Sequence, residues 1–207
     1  MSTWIGPLSV STLCGTEIAP YYESFNSVGS PNCWIQETND QFDWSINSGT
    51  TPSSNTGPSD DFPGGGSYLY IETSSPRAYG DRAIINTKTI DISNLSNPEL
   101  SFSTHMYGGY IDSLIIDITN DGGISYNNIF VKYGDQGNQW NTEIVDLSTY
   151  SGNIQFRITG TRGTSWAGDI AIDNFKVSEN SITGTWKLAT IPGAMKAGPN
   201  FNDGSYW

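Results

Sequence analysis

Residues 168–175 read GDIAIDNF, two carboxylates framing an apolar run. As a strand the stretch alternates its side chains between faces, so Asp169, Ala171 and Asp173 share one face. Ile170 and Ile172 then point the other way, into a core. Four strand residues rise about 13 Å at roughly 3.3 Å each, so the two aspartates cannot close on one ion. Each needs a partner of its own, or one of them is only surface.

The same period of two recurs along the chain. ELSFSTHM (99–106) puts Leu100, Phe102, Thr104 and Met106 on one face. SLIIDITN (113–120) aligns Leu114, Ile116 and Ile118 against Asp117 and Thr119. NIQFRITG (153–160) aligns Ile154, Phe156 and Ile158 against Gln155, Arg157 and Thr159. SYLYIET (67–73) sets Leu69 and Ile71 inward, with Tyr68, Tyr70 and Glu72 opposite. Turn clusters separate these runs: SGTTPSSNTGPSDDFPGGGS (48–67), NDGG (120–123) and YGDQGN (133–138). DITNDGGISYNN (117–128) reads as a hairpin. No useful length shows helical periodicity. Many short strands with glycine-rich turns imply an all-β antiparallel sandwich.

The 207 residues suit one large domain or one domain plus extras. Net charge is −12 with only nine Lys and Arg. Phosphate binding needs clustered cations, so nucleic acid is excluded as a partner, and anionic membranes and polyanions are disfavoured. Arg77, Arg82, Arg157 and Arg162 are the material for any local basic patch. No apolar run approaches the roughly 20 residues of a membrane helix. The opening MSTWIGPLSV lacks a basic start and an apolar signal core. Cys14 and Cys33 are expected to form a disulfide, which points to an oxidising compartment; two free thiols are the alternative. The bridge closes a loop of about 20 residues, worth roughly 3 kcal/mol in the chain-entropy model.

Catalytic signals are few. His105 alternates with core residues and reads as structural. GTSWAG (163–168) has the wrong spacing for a nucleophile elbow, and no paired Cys and His suggest zinc. GDRA (80–83) and GDQGN (134–138) are turns without a following helix, so they are not phosphate loops. Carboxylate pairs can cut glycosides, but the acidic residues here fall in turns. A non-enzymatic protein is the expectation.

Four collinear blocks resemble the MAM domain, the extracellular module of meprin, neuropilin and receptor tyrosine phosphatases. They are CWIQETNDQFDWSINSGTTPSSNTGPSDD (33–61), SYLYIETSSPRAYGDRA (67–83), LSFSTHMYG (100–108) and GDIAIDNFKV (168–177). With the leading PYYESF (20–25) they delimit a domain over 14–178. The resemblance implies a jelly-roll sandwich of two antiparallel sheets. Animal members usually carry four cysteines; here there are two, and Leu100 stands near where a third is common. CGTEIAPYYESF (14–25) is similar to the bacterial versions in secreted multidomain proteins. WIGPLSVSTLC (4–14) is similar to the last strand of a fibronectin type III domain, making 1–13 a remnant of one. GTWKLATIPGAMKAGPNFNDGSYW (184–207) is similar to a segment of SusE-like glycan-binding proteins, making 179–207 a linker and the start of such a segment.

The resemblance also implies a structural calcium ion held by Glu23, Asp61 and Asp173, joining first and last strands through the loop at Gly64–Gly66. Asp169 is left to cap a turn or pair with Arg162 or Arg77. Trp34, Trp44 and Tyr107 sit in family blocks and read as core. Tyr79, Tyr110, Trp140 and Trp166 lie beside glycine-rich turns, where rings stack on sugar faces or anchor loops. With Arg162 they are the candidate ligand contacts. The expected function is a carbohydrate-binding module of a secreted or cell-surface bacterial protein, with a neutral polysaccharide as ligand. A protein-adhesion or dimerisation module is the alternative, and a passive spacer a third reading.

Overall fold

The computed structural model describes residues 14–27 and 31–180. The stretches read as fibronectin-like (1–13) and SusE-like (184–207) lie outside the described residues.

Thirteen strands follow in order: β1 (Glu17–Ile18), β2 (Tyr21–Glu23), β3 (Ile35–Gln36), β4 (Ser45–Asn47), β5 (Tyr68–Ile71), β6 (Arg82–Asn86), β7 (Ile90–Asp91), β8 (Pro98–Met106), β9 (Ile111–Thr119), β10 (Asn127–Tyr133), β11 (Trp140–Asp146), β12 (Asn153–Arg162) and β13 (Ile170–Glu179). They form two sheets. In the first, β12 is central, with β9 and then β10 on one side and β6–β3 and β7–β1 on the other. In the second, β13 is central, with β8 and then β11 on one side and β5–β4 and β2 on the other. Every strand pairing is antiparallel except the short β1–β7 contact. This is the all-β sandwich that the period-two pattern implies.

The core lies between the sheets. Ile116, Ile118, Phe156 and Ile158 from the first meet Leu100, Phe102, Ile170, Ile172, Phe175 and Val177 from the second. Leu100, near an expected cysteine position, is a fully buried core residue. Phe175 is the hub of the aromatic packing, with Trp34, Phe156 and Phe102 centroids at 5.2, 5.4 and 6.2 Å. Trp34 and Trp44 are buried as expected, while Tyr107 is half-buried against the His105 ring. Cys14 and Cys33 are bridged, with Cα atoms 5.6 Å apart. Between the free edges β10 and β11, Lys132 forms an ion pair with Glu143.

Strict alternation breaks inside β13, as the register also shifts once in β10 and at the end of β12. Asp173 pairs with Ser103 and Lys176 with Ser101, so two residues of β13 face Phe102 alone. Asn174 takes φ of 51° at this bulge, a conformation asparagine tolerates better than most residues. The inward face therefore passes from Ile170 and Ile172 to Phe175 and Val177, all 0 % exposed. At the same point the partner strand changes from β5 to β2.

The segment 48–67 is more than a turn. It lies across the outer face of the second sheet and buries the part at Tyr68, Tyr70 and Ala171. Tyr68 Oη donates to the Gly49 carbonyl and accepts from Asn47 Nδ2, each at 2.7 Å. Trp140 Nε1 donates to the Asp60 carbonyl at 3.0 Å. Thr56 Oγ1 donates to the Tyr107 carbonyl and accepts the Asp169 N–H. Tyr68, Tyr70 and Ala171 form a second small core beneath it. The face expected to meet solvent is thus an interior layer.

Replacing Phe175 by Ala should cost roughly 3–5 kcal/mol, because it removes one ring from four that pack together. Replacing Ile124, which is 88 % exposed, should cost no more than about 0.5 kcal/mol. Urea unfolding of both variants checks the pair.

Candidate functional site

The bulge in β13 gathers carboxylates. Asp173, 1 % exposed, accepts the Phe62 N–H at 2.9 Å with Oδ2 and the Asn174 N–H at 2.6 Å with Oδ1. Asp61 Oδ1 accepts the Gly66 N–H at 2.7 Å, and Glu23 Oε1 accepts the Phe25 N–H at 2.7 Å. The Tyr22 hydroxyl donates to the side-chain oxygen of Asn174. Burial raises the Tyr22 pKa, and the charges of Asp173, Glu23 and Asp61 raise it further.

A Cβ on Gly66 would stand 2.2 Å from Asn26 Oδ1 and 2.5 Å from Asp61 Oδ2, so only glycine leaves room for these oxygens. The surroundings are oxygen-only and acidic, the donor chemistry that hard cations take. Among the described residues no three acidic, histidine or cysteine side chains converge as ligands on one point. Backbone N–H groups hold the carboxylates instead.

The predicted aromatic residues separate into two groups. Trp140 is half-buried, its ring against Tyr68 at 5.9 Å and His105 at 5.4 Å, and it anchors the 48–67 segment. Tyr79, Tyr110 and Trp166 are 67 %, 47 % and 44 % exposed. Backbone bonds bring their loops to one end of the sandwich: Tyr110 N–H to Ala167 O at 3.1 Å, and Gly80 N–H to Arg162 O at 3.0 Å. Gly163 and Gly168 press against the Tyr110 carbonyl, where an added Cβ would come within 1.9 and 2.5 Å. Arg162 is buried. Its Nε and Nη1 donate to the carbonyls of Thr73 and Gly163 at 2.7 and 3.0 Å.

Asp169 meets neither arginine. Its Oδ1 accepts the Thr73 N–H at 3.0 Å and Oγ1 at 3.1 Å. Arg77 lies over the Phe42 ring at 4.8 Å. His105 is buried with Nε2 3.1 Å from Asn138 Oδ1, and burial lowers its pKa, which favours the neutral ring.

Next to the loop end, the outer face of the first sheet carries a groove of about 310 Å³. Glu37, Arg82, Asp117, Arg157, Thr159 and Thr161 supply its polar groups. Arg157 pairs with Asp117 at 2.9 Å and lies 3.9 Å over the Tyr126 ring. Arg82 and Thr161 are cross-strand partners, adjacent in sequence to Asp81 and Arg162, whose backbones bond at 2.9 Å. Groove and loop end are therefore contiguous. The sequence offered one signal for the groove: Asp117, Arg157 and Thr159 on the polar faces of neighbouring strands. Their convergence depends on β9 and β12 pairing, with Arg157 opposite Asp117.

Fold and site together define a two-sheet jelly-roll module. The chain belongs to the MAM domain family: the family described as MAM domain, meprin/A5/mu, matches residues 23–181. MAM domain-containing glycosylphosphatidylinositol anchor protein 1 of Homo sapiens is 34 % identical over 178 residues, covering 78 % of this chain and 18 % of that protein. The chain thus spans under a fifth of that relative's length. Among solved structures, the K1 cleaved adhesin domain of Lys-gingipain from Porphyromonas gingivalis W83 aligns with a TM-score of 0.54 at 17 % identity, covering 77 % of this chain and 98 % of that one. TmCBM61, solved in complex with beta-1,4-galactotriose, aligns with a TM-score of 0.50 at 12 % identity, covering 76 % and 95 %. At such identities the two structures speak for the fold.

Burial pushes Asp173 up to about 6 against its two N–H bonds, with Asp61 and Glu23 adding to the rise. The folded form therefore keeps this proton to higher pH than the unfolded chain. Its contribution to stability is full below the ordinary carboxylate range and is lost as pH rises through about 6. In chelator-treated protein, the melting temperature of Asp173→Asn should fall less than that of the unsubstituted chain between about pH 4 and about pH 7. Parallel melting curves across that window would contradict the assignment.

Proposed function

We propose that this MAM domain is a non-catalytic binding module of an extracellular protein, and that its ligand is a neutral polysaccharide. The observation that carries the reading is the continuity of three exposed rings with a polar groove. Tyr79, Tyr110 and Trp166 offer apolar faces for sugar rings, and Thr159, Thr161 and the groove carboxylates offer partners for hydroxyls. Arg82 and Arg157 are balanced in the groove by Glu37 and Asp117, so its lining has no net charge to attract a polyanion. The disulfide supports an oxidising compartment, hence secretion or surface display. A bacterial multidomain parent is supported by the resemblance of residues 14–25 alone.

A structural calcium ion at the β13 bulge is part of the same proposal. Asp173, Asp61 and Glu23 supply carboxylates and Asn26 an amide oxygen, linking β2, the 48–67 segment and β13. Chelator should lower the melting temperature, and Asp173→Ala should shrink that drop markedly. A melt indifferent to chelator would remove the ion.

Affinity electrophoresis tests the ligand. Neutral β-glucan in the gel should retard the chain about equally with and without added salt, since little charge is neutralised on contact. Trp166→Ala and Tyr110→Ala should each weaken retardation about tenfold, the order expected for losing one stacked ring. Retardation only by an anionic polymer, relieved by salt, would overturn the neutral preference. No retardation by any glycan would turn the reading to protein adhesion.

A further inference from the structure

Under the 48–67 segment, away from the β13 bulge, two buried carboxylate oxygens have no hydrogen-bond partner among the described residues: Asp169 Oδ2 and Glu72 Oε2. Asp169 is 0 % exposed. An ionised oxygen held from water without a donor is costly. The Glu72 charge also acts on Asp169 and disfavours its ionised form.

The hydrogen-bond donors are distributed one-sidedly. On Asp169, the Thr73 N–H goes to Oδ1, and the Thr73 hydroxyl, whose one proton is shared with the Trp166 carbonyl, lies 3.1 Å from the same oxygen. On Glu72, Ser53 Oγ and the Ser74 N–H both go to Oε1, at 3.2 and 3.0 Å. The Thr51 hydroxyl also neighbours Asp169. Its single proton is shared between the Thr56 carbonyl at 2.9 Å and Asp169, and its lone pairs stay open to a cation. Arg162, one cation that sequence alone suggested, is engaged with backbone carbonyls; Arg77, the other, lies over the Phe42 ring, and its buried Nε has no hydrogen-bond partner among the described residues.

We propose that Asp169 Oδ2, Glu72 Oε2 and the Thr51 hydroxyl oxygen form a second hard-cation site, one that takes calcium. The donors are all oxygen, and water completes the six to eight ligands the ion prefers. Glu72 is only partly buried, which leaves a path from solvent. The site ties three segments: the end of β5, the 48–67 cover and the loop leading into β13. Thr73 Oγ1 also donates to the Trp166 carbonyl at 2.7 Å, so the ion stiffens the loop that carries Trp166. The site stands whether or not the ligand at the loop end is a glycan.

Isothermal titration of the chelator-stripped 207-residue chain with calcium chloride tests this. Two equivalents should bind. Asp169→Asn and Glu72→Gln should each remove one and leave the equivalent that Asp173→Asn removes. Asp169→Asn combined with Asp173→Asn should bind none. Glu72→Gln, at a partly exposed position, decides the matter if Asp169→Asn does not fold. One equivalent lost only with Asp173→Asn would overturn the second site and leave the bulge ion standing. Two equivalents undiminished by Asp169→Asn and Glu72→Gln would overturn it as well. No binding to the unsubstituted chain would sink both ions.

Discussion

The two-for-one step at Asp173 and Asn174 is the constraint from which the second sheet takes its form. A continuous β13 would carry Phe175 and Val177 to the outer face and leave the core without the ring on which Trp34, Phe102 and Phe156 pack. The bulge restores them inward. It also ends pairing with β5 and starts pairing with β2. Between those two partners a gap opens in the ladder, and Asp173 fills it by accepting the Phe62 and Asn174 N–H groups. One extra residue thus sets the core, the strand order and the acidic site together.

The 48–67 segment adds a layer beyond the usual two. Its backbone reaches the outer sheet through Tyr68, Tyr107, Trp140 and Asp173, and few of its own apolar side chains are involved. Such a cover depends on polar pairing, and buried polar pairing is effective only when it is complete. The oxygens of Asp169 and Glu72 are where it is incomplete in the protein's own atoms.

Period-two alternation made the long strands and their inward residues legible, since Leu114, Ile116, Ile118, Ile154, Phe156 and Ile158 are all buried where the pattern put them. It could not reveal that the opposite face of SYLYIET is buried too. That face is covered by a segment whose Ser, Thr, Pro and Gly content reads as exposed turn. Glu23, Asp61 and Asp173 came from family resemblance, and in the structure each accepts a backbone N–H. Of the two roles offered for Asp169, capping a turn or pairing with an arginine, the second fails for a local reason: Asp169 accepts the Thr73 N–H, and Arg162 is held by carbonyls. Of the aromatic candidates, Trp140 is separated from Tyr79, Tyr110 and Trp166 by its place on β11, where its indole N–H has a carbonyl to meet.

β13 runs the length of the second sheet, from the loop after Trp166 to Glu179, where it pairs with Pro98. β2 lies antiparallel beside its far half, so residues near Cys14 and Asn180 mark the end opposite the exposed rings. A partner gripping Trp166 while the chain is held beyond Glu179 would draw β13 along its own axis. Its ladder bonds to β8 run across that axis. The covalent backbone of β13 would carry that load itself, so the ladder bonds would not be parted one after another as in a peeled hairpin. A domain loaded between these two ends would thus be pulled along β13, the strand that carries the bulge and begins one residue after Asp169.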